Sequence, residues 1–130
     1  MSIKRIAALP RSPRLQATAA TSDHGDLLAL WNDHSGRFPL DAQRGRQPPV
    51  SAIGRDYGKT WTNHKQVESD LSRGYHYTAI HLVDDNVLLG YCAGPKGTGK
   101  QLNTLRVRRI PLEWFYTPSD FGSFDRRSRG

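Results

Sequence analysis

The chain has a single cysteine, Cys92, which excludes any internal disulfide. Cys92 ends an apolar run, where a buried, inert thiol is expected. No apolar run is long enough to span a bilayer, and 1–14 lacks the apolar centre of a secretory signal. The chain as written is therefore expected in the cytoplasm and off the membrane. No long stretch carries the three-to-four-residue apolar period of an amphipathic helix. Only two glutamates are present, Glu68 and Glu113, so paired-carboxylate chemistry has few candidates. Hydrophobic residues make up 36%, which predicts a modest core for 130 residues.

What the chain has in excess is positive charge. Nineteen Lys and Arg stand against twelve Asp and Glu, a net charge of +7. Such a balance suits acidic glycans, anionic surfaces or nucleic acid without choosing among them. Part of it sits in the tail Arg126-Arg127-Ser128-Arg129, which reads as solvated and disordered. The tyrosines and the arginines of the segment 102–110 lie apart in sequence, which argues against a nucleic-acid face.

Strand-like segments are marked out by turn residues. Leu27 to Asn32 is a continuous apolar run of strand length that ends in Asn32-Asp33-His34-Ser35-Gly36, and 37–46 is an arginine-rich loop. Val50-Ser51-Ala52-Ile53 and Thr60 to Val67 flank Gly54-Arg55-Asp56-Tyr57-Gly58-Lys59-Thr60-Trp61, a hairpin turn in which Asp56 can bind amides and Gly58 can take positive φ. Tyr75 to Leu82 and Val87 to Cys92 form a second hairpin around Asp84-Asp85-Asn86. Leu102 to Ile110 alternates, with Arg106, Arg108 and Ile110 on one side and Leu105, Val107 and Arg109 on the other, as an edge strand would. Three divisions follow: 1–26, a short strand with an irregular insertion; 27–116, the ordered part; and 117–130, a basic tail.

The turn Gly54 to Trp61 resembles the Asp box of sialidases and related β-propellers, S-x-D-x-G-x-T-W, at Asp56, Gly58, Thr60 and Trp61, with glycine where the box has serine. Arg46-Gln47-Pro48-Pro49-Val50-Ser51-Ala52-Ile53 is similar to the R-x-P-L-x-x-A-I segment that leads into that box. The resemblance implies an all-β fold of antiparallel four-stranded blades, a partial propeller of sialidase type with about two blades, since a blade takes roughly 40 to 50 residues. It also implies sialic acid or another acidic glycan as ligand. Arg46 would clamp the ligand's carboxylate and Tyr77 would stand at the family's nucleophile position.

The family's acid/base aspartate, its other two arginines and the glutamate that activates the tyrosine have no counterpart here. The resemblance therefore predicts a C-terminal fragment of a sialidase-like protein, inactive by itself. The alternative is a non-catalytic glycan-binding or protein-interaction module. Open blade faces would favour self-association. No metal or cofactor is expected: His76 and His81 fall on opposite strand faces, and Gly97-Thr98-Gly99-Lys100 lacks the full phosphate-loop spacing.

Overall fold

The computed structural model describes residues 4–9, 25–40, 45–95 and 101–118. The expected irregular stretch 10–24, the loop 96–100 and the tail 119–130 lie outside the described residues.

Among the described residues, seven strands make two antiparallel sheets. β1 (Arg5–Ala8), β2 (Leu27–Asn32), β3 (Pro49–Gly54) and β4 (Thr62–Gln66) form the first in chain order. β5 (His76–Val83), β6 (Asn86–Cys92) and β7 (Leu105–Pro111) form the second. Chain-order pairing follows from the short connections, because antiparallel neighbours need only a tight turn. Between β5 and β6 the turn is two residues long, and Asp84 takes a left-handed φ of 53° there.

β3 is the centre of the first sheet. All six of its residues are buried, as its near-continuous apolar sequence requires. Its pairing with β4 slips by one residue between Ser51 and Ile53. Asn63 absorbs that bulge at a φ of 55° and sends its side-chain amide to the Tyr116 carbonyl at 2.9 Å.

The two sheets share one core. Leu28, Leu30 and Ile53 come from the inner face of the first, and Val87, Leu89, Tyr91 and Ile110 from that of the second. After Pro111 the chain turns into a 3-10 segment, Leu112–Tyr116, which inserts Leu112, Phe115 and Tyr116 into the same core. The segment packs against β3 and β4 of the first sheet as well as β7 of the second.

That arrangement corrects the expected fold. The chain builds two open, uncurled sheets of four and three strands, neither closed into a barrel nor part of a propeller ring. The turn after Gly54 is a local device that does not carry the family's architecture with it. Asp56 accepts from the Thr60 amide at 2.9 Å and the Thr60 hydroxyl at 2.6 Å, Gly58 sits at φ 81°, and Tyr57 at φ 61°. Trp61 folds back onto Gly54, so a Cβ at position 54 would lie 2.8 Å from the indole ring. A serine there, as the resembled box has, would displace Trp61.

Candidate functional site

The sialidase resemblance assigns site roles to Arg46 and Tyr77. Arg46 is exposed in the loop before β3, and its carbonyl accepts the Tyr75 amide at 2.8 Å, which brings the entry to β3 beside the start of β5. Burial first, and then the Arg46 guanidinium, hold His76 below its ordinary pKa. Tyr77 lies on β5 within the irregular register between His76 and Ala79, and its side chain lies outside what is described. Among the described residues, no group of three His, Cys, Asp or Glu is placed to hold a metal ion, and no helix is long and apolar enough to cross a membrane.

The polar groups that do converge are ones the sequence did not single out. Glu68, just past β4, accepts the Tyr91 hydroxyl of β6 and the Arg106 guanidinium of β7, the latter at 2.8 Å. Arg108 donates to the Val67 carbonyl, and Tyr75 stands edge-on to Tyr91 with ring centroids 5.9 Å apart. Burial, then the hydrogen bond to Glu68, push the Tyr91 phenol well above its ordinary range. The same happens at the far end of the core, where Tyr116 donates to buried Asp26 at 2.7 Å. A phenol held protonated in this way is a poor nucleophile, and both contacts serve to fasten strands together.

These contacts fix which side of β7 faces inward. Arg106 and Arg108 point toward the first sheet, where Glu68 and the Val67 carbonyl receive them. Leu105 and Val107 are consequently turned out, 73% and 66% exposed. The alternation in the sequence defined the two sides; the acceptors on Glu68 and Val67 decided between them. Register then sets Val107, Gly90 and Ala79 in one row across the outer face, and Arg109, Leu88 and His81 in the next. Val83 and Pro111 are exposed at one end of that face, and half-buried Cys92 lies beside Leu105 at the other. Arg109 is the one formal charge among these outward positions.

Compared with family models, curated proteins and solved structures, the chain finds no match in any of the three. With two open sheets and no such match, the sialidase reading falls, and with it the fragment, glycan-processing and glycan-module expectations. Arg46 and Tyr77 lose the family that would have lent them roles.

Proposed function

We propose that the chain is a self-associating β-module, two copies of which pack through the outer face of β5–β6–β7. The observation that supports this is the outward display of Leu105 and Val107 on a strand whose arginines are turned inward. The largest exposed apolar patch of a protein is often an interaction site.

A second copy suits the face by shape and by charge. β7 carries a ridge, Leu105 and Val107. Beside it lie Gly90 and Ala79, and a Cβ on Gly90 would meet nothing within 4 Å among the described residues. A two-fold axis running along β6 lays the β7 of one copy over the β5 of the other, so each Val107 settles on the second copy's Ala79 and Gly90. Arg109 then meets His81 of the second copy and not its Arg109, and Pro111 covers Val83. With Arg109 its one formal charge among the outward positions named above, the face brings little of the chain's net charge of +7 into the contact.

The area bounds the strength. Three strands of about seven residues make a face of about 23 by 14 Å, a few hundred Å² per copy against roughly 800 Å² in a standard interface. The dimer should therefore be reversible, with a Kd on the order of 0.1 mM.

Sedimentation equilibrium across a concentration series tests this directly. Expected is a mass rising from monomer toward dimer, and a Val107→Lys variant that stays monomeric with its thermal melt unchanged. Since Cys92 is the only thiol, a short bismaleimide should join two copies through it in the parent and not in Val107→Lys. A parent that remains monomeric well above ~0.1 mM would refute the proposal.

A further inference from the structure

A second feature, on the outer face of the first sheet, is independent of self-association. Trp31 on β2 and His64 on β4 reach across β3 and meet edge to face, with centroids 5.8 Å apart, above fully buried Val50 and Ala52. The Lys4 ammonium stands 4.7 Å from the Trp31 ring centre. Arg37 is anchored by giving one nitrogen to Asp33 at 2.6 Å, two residues beyond Trp31. Asp33 is itself buried and receives the Ser35 amide at 3.0 Å, so its carboxylate is committed to the loop. An ammonium and an imidazole thus flank one indole, and the Arg37 guanidinium, like the Lys4 ammonium, stands near enough to His64 to act on it electrostatically.

We propose that this Lys4–Arg37–His64 cluster binds a phosphate group, with each side chain taking one of its oxygens. Charge supports a dianion. Lys4 and Arg37 contribute +2, Asp33 removes one, and a protonated His64 restores it, giving +2 opposite −2. Arg37 suits a multidentate oxyanion because its planar fork keeps donors free after the bond to Asp33. Trp31 and the buried β3 residues beneath it form a rigid floor that holds Lys4 and His64 in place.

The unliganded cluster is electrostatically crowded. Burial, then the Arg37 guanidinium, hold His64 below its ordinary pKa; Asp33 opposes this, and Lys4 adds to it. Among the described residues, Val50, Ala52 and Gln66 share this face of the sheet with His64 and carry no charge. A bound phosphate would relieve the crowding and favour the imidazolium. Binding should therefore take up a proton and tighten as pH falls, over the range where phosphate stays dianionic.

The experiment follows the imidazole C2–H resonances by NMR across a pH series, in phosphate and in chloride at matched ionic strength, with His64 assigned from its loss in His64→Gln. Expected is an upward displacement of the His64 midpoint in phosphate, with His81 unmoved, and affinity about tenfold weaker in Lys4→Ala. Methyl phosphate in place of inorganic phosphate separates the sources. Equal binding means that the site takes a phosphoryl group carried on a larger molecule, and binding of inorganic phosphate alone means that it takes the free ion. Superimposable His64 titrations in phosphate and chloride, or a phosphate effect unchanged in Lys4→Ala, would overturn the proposal.

Discussion

If Glu68 fastens the two sheets, removing either partner of its contact with Tyr91 should cost far more than an ordinary surface change. Tyr91→Phe deletes one buried hydroxyl and leaves the ring in the core, where it is 2% exposed. The bond lost is to a charged acceptor, worth about 1.5–3 kcal/mol. Glu68→Ala removes the same bond from the other side and strands the Tyr91 hydroxyl, about 1–3 kcal/mol. It also releases Arg106, whose side chain is 33% exposed; solvent reduces that ion pair to at most about 1 kcal/mol. The single variants should thus fall by about 2 and about 3 kcal/mol. Because they remove one shared bond, the double variant should lose about 1–2 kcal/mol less than the sum. Urea unfolding followed by tryptophan fluorescence gives all three values, and each kcal/mol should lower the melting temperature by roughly 4–8 °C. Tyr91→Phe within about 0.5 kcal/mol of the parent, or strict additivity with Glu68→Ala, would show that the contact does not hold the sheets together.

Alkaline pH should unfold the chain. Burial first, then the Glu68 and Asp70 carboxylates, push the Tyr75 phenol up to about 12, and Tyr91 and Tyr116 are raised in the same direction. Folded phenols then hold their protons more tightly than the unfolded chain, whose tyrosines ionise near 10. Stability should be intact below about pH 10 and fall between about 10 and 12, at up to about 1.4 kcal/mol per pH unit for each phenol. Phenolate absorbance at these three tyrosines appearing before the cooperative transition would contradict this. Gly54→Ala should destabilise by about 1–3 kcal/mol, since its Cβ would press on Trp61. Trp61→Leu makes room, so the pair should cost less than the two changes summed, as urea unfolding would reveal.

Much of the strand layout was legible because it is written in local chemistry. Asp56 and Gly58 specify the turn between β3 and β4, and Asp84-Asp85 the turn between β5 and β6, whatever the rest of the chain does. The irregularity at Asn63 was not legible, because an asparagine inside an alternating run carries no mark that it will adopt a left-handed φ. The architecture is not written in the turn for a related reason. A turn sequence reports a few residues, whereas the arrangement of sheets is decided by what fills the space between them. Here Leu112, Phe115 and Tyr116 fill it, from a 3-10 segment that reads in sequence as a mere apolar patch.

The candidate surface was half legible for the same reason. The two sides of β7 could be drawn from sequence, and convention would send the arginines outward and Leu105 and Val107 in. The reverse occurs because two acceptors, the Glu68 carboxylate and the Val67 carbonyl, wait where the inner side of β7 passes. Neither acceptor is close to β7 in sequence. Satisfying the arginines inward forces the apolar side outward, so the contacts that fasten the sheets together also create the face through which we propose that copies associate. The two should separate under mutation: Glu68→Ala weakens the fold, and Val107→Lys weakens assembly alone.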